Sequence, residues 1–218
     1  EWSERTGGAF DPTVGKVVKL WGIGTEGAAI PDPERLKEAV KLTDFKKTSV
    51  AHEANRTVGR TAKEQTKNLG EIPKGYVTDK ARALLIEEGI RSGLIDLGGN
   101  IAVFGNSPRP GKWKIGLQHP FMRRGEYFGI VEVSDVSVVT SRPDERYYEA
   151  GGEKKHHKCD HLTGYPAQSD LASVTIISED STCTCASINP GETNFPLRSI
   201  TFLALWYSPI PIIISPRT

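Results

Sequence analysis

The chain has 218 residues, within the range of one domain and long enough to bury a substantial core. Its 28 Lys plus Arg balance 27 Asp plus Glu to a net charge of +1, which leaves no strong field of either sign and argues against a polyanion-binding role. The 22 glycines and 14 prolines disfavour a helical bundle and favour a loop-rich, mixed fold.

The opening stretch EWSERTGG reads as helical and polar; with no signal peptide or lipid-attachment cysteine ahead of it, it reads as a fragment boundary. In GAFDPTVGKVVKL, Asp11 is a candidate N-cap with Pro12 at the first helical position. Asp32 and Pro33 repeat the device in PDPERLKEAVKL, where Leu36, Ala39 and Val40 make the apolar stripe. From Lys74 to Glu88 the spacing of Val77, Ala81, Leu84 and Leu85 predicts a helix stopped by Gly89.

SGLIDLGGN and IAVFG then read as two short strands joined by Gly98-Gly99-Asn100. KWKIGLQHP, YFGIVEVSDVSVVTS, RYYEAGGEKKHH and ASVTIIS alternate or run in β-forming residues, with turns such as Ala150-Gly151-Gly152-Glu153. Helices precede most strands, so the fold class is α+β with an antiparallel sheet, not a doubly wound one. After Lys158 only Arg198 and Arg217 are basic, and this break in composition marks a linker or tail, or a damaged or misread segment. The longest apolar stretch, ITFLALWYSPIPIII, is interrupted by Ser208, Pro209 and Pro211; it is short for a membrane span and reads as a strand or a disordered tail. Cys159, Cys183 and Cys185 are an odd set without a C-x-x-C spacing, which argues against a disulfide framework or a zinc site.

Three constellations suit chemistry. In LGEIPKGYVTDKA, a helix start with Lys74, Gly75 and Tyr76 is either a phosphate cradle or an ordinary exposed helix start. In DLGGN, adjacent glycines permit close approach of a ligand to the backbone and Asn100 offers a donor, or the segment is a plain hairpin turn. In HHKCDHLTGYPAQSD, an imidazole can take a proton from a hydroxyl and Asp160 can orient it or hold a cation; adjacent histidines at a strand end are otherwise surface residues. Neither G-x-G-x-x-G nor G-x-x-x-x-G-K-[ST] occurs, and Ser141 is not in a G-x-S-x-G elbow.

Taken together, GGAFDPTVGKVVKLWGIG, KGYVTDKA, LIDLGGNIAVFG, KIGLQHP, TSRPDERYYE and the HH-to-TGYPAQSDLASVTII stretch resemble, in order, the ApbE family of FAD:protein FMN transferases. The resemblance implies a T-fold-like α+β domain over residues 1–178 that lacks the family's N-terminal part, followed by a divergent, unassigned segment over 179–218. It implies a magnesium-dependent enzyme that cleaves FAD between its phosphates and esterifies FMN onto Thr or Ser of a target flavoprotein. It implies a target such as a subunit of a membrane redox complex, and a location for the protein itself at the bacterial cell envelope, lipid-anchored on the periplasmic or extracytoplasmic side, or in the cytoplasm. The alternative is an inactive FAD-binding protein with a lost metal site.

By the same resemblance His157 is the catalytic base and Asp160 its neighbouring acid. Lys74 stands beside the pyrophosphate, Tyr76 and Asp79 line the adenosine side, and Asn100 and Ser141 are secondary pocket residues. The chain departs from the family at Asn68, Glu71, Pro73, Arg142, Lys158, Cys159 and His161. Its metal-binding Asp and Thr fall on Cys185 and Asn189, poor substitutes for the oxygen ligands a hard cation takes.

Overall fold

The computed structural model describes residues 2–50, 58–60, 63–70, 72–141, 147–150, 153–167, 171–187, 201–206 and 212–214. The chain forms two compact units: one from the described parts of Glu1–Leu69 and Pro143–Gln168, the other from those of Gly70–Arg142, Ser169–Pro190 and Asn194–Thr218. In chain order the first unit opens with α1 (Trp2–Arg5), α2 (Gly15–Trp21), α3 (Pro33–Val40), a 3-10 turn (Phe45–Lys47) and the hairpin β1 (Thr48–Val50) and β2 (Val58–Arg60). The second unit supplies α4 (Ile72–Glu87), β3 (Gly93–Asp96), β4 (Asn100–Phe104), β5 (Trp113–Gln118), β6 (Tyr127–Val133) and β7 (Ser137–Ser141). A hairpin of β8 (Tyr147–Ala150) and β9 (Glu153–His156) returns to the first unit. The second unit is completed by β10 (Leu171–Ser178), α5 (Ser181–Ser187), β11 (Thr201–Trp206) and β12 (Ile212–Ile214).

In the first unit Val17, Trp21, Leu36 and Ala39 form a core between α2 and α3, with Cys159 packed against it. Asp32 caps α3 as its sequence predicts, accepting from the Arg35 N–H at 3.0 Å. Asp11 does not cap α2. A bridge between Val14 and Thr66 comes first, close enough that a Cβ on Gly15 would lie 2.6 Å from the Thr66 carbonyl oxygen, and the helix starts only at Gly15. Buried Asp11 instead accepts from Thr13 N–H at 2.8 Å and Thr13 Oγ1 at 2.6 Å, and its other oxygen accepts from Phe45 N–H at 3.0 Å. An aspartate beside a proline suits this local turn as well as a cap, and the long-range bridge decides between them.

The second unit is built on a six-stranded sheet, order β12-β11-β10-β7-β4-β3, in which every neighbouring pair is antiparallel. Val103 and Val138 bury one face of this sheet against Ile115 and Leu117 of the β5–β6 hairpin. The other face takes α4 and α5. The continuous run YFGIVEVSDVSVVTS is broken into β6 and β7 at Asp135, whose φ of 53° turns the chain and whose carboxylate accepts from Gly105 N–H at 2.8 Å. The apolar tail stretch forms strands β11 and β12.

The apolar positions that make α4 legible are not the ones it buries. Val77 and Leu84 are 51% and 56% exposed, while Gly75 and Thr78 are buried. The small residue decides the face: a Cβ on Gly75 would lie 2.3 Å from the Ser181 carbonyl oxygen, so α5 docks where α4 has no side chain. Among the described residues no helix is long and apolar enough to cross a membrane.

Candidate functional site

Each unit holds part of the sequence-predicted set. In the second unit Gly98 and Gly99, at φ 65° and 86°, turn β3 into β4 in a conformation that side chains disfavour. The turn is tied by Gly99 N–H to Asp96 Oδ1 at 3.1 Å and by Leu97 N–H to the Asn100 carbonyl at 2.9 Å. The ammonium of Lys74, in the first turn of α4, reaches this hairpin: a Cβ on Gly98 would lie 4.0 Å from Lys74 Nζ. Thr140 donates its N–H to the Gly99 carbonyl at 3.1 Å, bringing the end of β7, with half-buried Ser141, to the same turn. A cation, a bare glycine backbone and a helix start thus converge as a phosphate-bearing ligand requires.

Tyr76 is exposed, with Lys80 Nζ 5.5 Å from its ring centroid. Asp79 joins α4 to α5: one oxygen accepts from Ser181 N–H at 2.9 Å, the other from Thr182 N–H at 2.8 Å and Thr182 Oγ1 at 2.6 Å. Asn100 is buried and turned inward, donating to Cys185 Sγ at 3.1 Å and accepting from Ser181 Oγ at 2.8 Å. Ser181 Oγ also pairs with the Ser137 hydroxyl at 2.9 Å, and Ser178 pairs with Thr184. Asn100, Ser137 and Ser178 therefore give the sheet a buried polar stripe that receives the start of α5. Ser137, Ser181 and Thr182 were not singled out as functional by sequence, because partners 44 to 103 residues apart leave no local spacing to read.

A magnesium ion takes about six oxygen ligands in near-octahedral geometry. At Cys185 the buried thiol accepts an amide N–H, and among the described residues no three His, Cys, Asp or Glu side chains converge. The described residues do not fit magnesium at this position, and Asn189 lies outside them.

In the first unit His156 ends β9, and half-buried His157 follows at a bend. Burial, the largest influence, pushes the His156 imidazole below its ordinary value; the Ala167 backbone offsets this in part, and the charges of His157 and Lys158 lower it further. His156 Nδ1 is buried without a hydrogen-bond partner among the described residues. Asp160 Oδ1 accepts from Leu162 N–H at 2.7 Å, and the Asp160 backbone pairs with Gly164 N–H and the Tyr165 carbonyl at 2.8 Å each, which closes the Thr-Gly-Tyr-Pro turn. Trp21 fixes that turn by donating Nε1–H to the Gly164 carbonyl at 2.7 Å, with Tyr165 edge-on to its ring. His157 is thereby carried on a backbone anchored to the core of its own unit.

The profile of the ApbE family matches residues 1–188. An FAD:protein FMN transferase of Treponema pallidum is 38% identical over 193 residues, covering 83% of this chain and 53% of that protein. One of Klebsiella pneumoniae is 36% identical over 173 residues, covering 79% and 52%. The chain thus spans about half the length of the curated relatives it matches. The solved ApbE protein of Thermotoga maritima superposes with a TM-score of 0.86 at 30% identity, over 97% of this chain and 72% of that one. The apo flavinyl transferase ApbE of Pseudomonas stutzeri, at 23% identity and a TM-score of 0.78 over 97% and 69%, shares the fold.

Proposed function

The chain belongs to the ApbE family, and on that premise we propose that it serves flavin transfer from FAD to a protein. In this reading a Thr or Ser hydroxyl of the target attacks the FMN-side phosphorus of FAD. The new P–O bond forms as the pyrophosphate bond breaks, AMP leaves, and His157 takes the hydroxyl proton. Lys74 neutralises phosphate charge over the Gly98–Gly99 backbone, and that approach of Lys74 to the turn is the observation that supports the reading most. Asp160 contributes by holding the turn behind His157, and Asp79 by fixing the start of α5. Tyr76 offers a stacking face toward the adenosine side, and Ser141 lines the pocket near Gly99.

Magnesium dependence belongs to the family reading, but the donors at Cys185 do not fit it and no step is assigned to a metal. The same observation favours a second reading, a protein that holds FAD without turning it over. Mass spectrometry of an acceptor flavoprotein incubated with this chain and FAD, with and without magnesium, tests both. A gain of one FMN supports transfer; FAD binding without any gain supports the second reading. A location on the extracytoplasmic side of a bacterial envelope, with a membrane redox subunit as target, completes the proposal and is tested by fractionation of native cells.

A further inference from the structure

His157 stands between two segments of unequal firmness. On its N-terminal side β9 pairs, among the described residues, with β8 alone, and a two-stranded ribbon is marginal in water. On its C-terminal side the chain enters a tight loop closed upon itself: Ala167 N–H donates to the Lys158 carbonyl at 2.9 Å, Cys159 bridges Pro166, and Asp160 N–H donates to the Tyr165 carbonyl at 2.8 Å. The α2–α3 core holds this loop. Trp21, 1% exposed at the end of α2, donates Nε1–H to the Gly164 carbonyl at 2.7 Å and meets the Tyr165 ring edge-on. Leu36 and Val40 of α3 press on Gly164, where a Cβ would lie 3.0 and 2.7 Å from them, and Cys159 packs on the same cluster. Trp21 is itself fixed: its carbonyl accepts from Ala29 N–H at 3.2 Å, and Gly22 caps α2 just behind it.

We propose that Trp21 is a positioning residue for flavin transfer: by holding the Gly164 carbonyl it fixes where the His157 imidazole meets the acceptor hydroxyl. The inference rests on the reading of His157 as the base. The Trp21 ring is buried in the α2–α3 core, so it acts through the backbone of the loop and not on substrate. A base works only within hydrogen-bond reach of the proton it takes, and a misplacement of roughly 1 Å costs about a hundredfold in rate. Packing alone leaves a loop some slack, whereas a buried hydrogen bond adds a fixed direction and distance and is strengthened by its apolar surroundings.

The test compares two variants that lose the same kind of bond. Trp21→Phe removes the N–H to Gly164, and Trp113→Phe removes an N–H that donates to the Gly105 carbonyl at 2.9 Å in the other unit. Each is measured for FMN transfer to an acceptor flavoprotein and for the proton NMR signal of the His157 ring, assigned with His157→Gln. Trp21→Phe should lower kcat by about tenfold or more, leave KM for FAD unchanged and move the His157 signal. Trp113→Phe should lower the thermal midpoint while leaving kcat and the signal as in the parent. Tyr165→Leu, at a position 45% exposed, removes the edge-on ring without opening the core; it should act in the direction of Trp21→Phe by a smaller factor, and it serves if that variant does not fold. A parent that transfers no FMN defeats the transfer reading, and the His157 signal still decides whether Trp21 positions that ring. A His157 signal and kcat that neither loop variant moves, or that Trp113→Phe moves as much, overturn the proposal.

Discussion

Asp79 and Cys185 show how single side chains hold the second unit together. Asp79 satisfies two backbone N–H groups and a hydroxyl at the start of α5, so Asp79→Ala should lower stability by about 1–2 kcal/mol in urea unfolding, the range for a lost helix cap. Cys185→Ser keeps an acceptor for the buried Asn100 amide, whereas Cys185→Val removes it; the valine variant should be less stable than the serine one by about 1–3 kcal/mol. His156 gives the first unit a pH dependence. Its folded pKa lies below the ordinary 6.5, so the unfolded chain takes the proton first. Stability is full above about 6.5, falls as pH drops below it, and levels off once the folded imidazole is also protonated. His156→Gln should flatten the thermal midpoint over that acidic range; an unchanged profile would remove His156 as the cause.

At the scale of elements, glycines set where helices and turns dock. Gly75→Ala should destabilise the protein by about 1–3 kcal/mol, because its Cβ would meet the α5 backbone and not a movable side chain end. Gly164 combines a φ of 75° with a Cβ position 2.7 Å from Val40 Cγ2, so Gly164→Ala should loosen the turn after Asp160, read as a lower thermal midpoint. The elements themselves were largely legible: period and caps marked α3 and α4, and β-forming runs marked β3 to β10. Their contacts were not. Asp11 reads as a cap until the Val14–Thr66 bridge is known, and α4 reads as burying its leucines until Gly75 meets α5. Of the candidate site, the helix start at Lys74 and the Gly98–Gly99 turn were each legible because their signals are local, whereas the approach of Lys74 to that turn was not. Asn100 was not legible as a buried member of the α5 junction, since its partners Ser181 and Cys185 lie 81 and 85 residues away.

At the scale of the whole molecule, the family fold is present while Cys185, where the resemblance places a metal ligand, is a hydrogen-bonded thiol. Lys74 over the glycine turn and His157 on its anchored bend are the groups to which the proposed flavin chemistry is assigned. Both functional readings require FAD to bind, and a ligand that binds only the folded state raises its stability, by about 2.7 kcal/mol at a hundredfold excess over Kd. The most direct measurement is therefore thermal unfolding of the chain with and without millimolar FAD, beside Lys74→Ala, whose side chain is exposed and whose loss should leave the fold intact. The account predicts a higher midpoint with FAD and a smaller rise in the variant. An unchanged midpoint at millimolar FAD would contradict it.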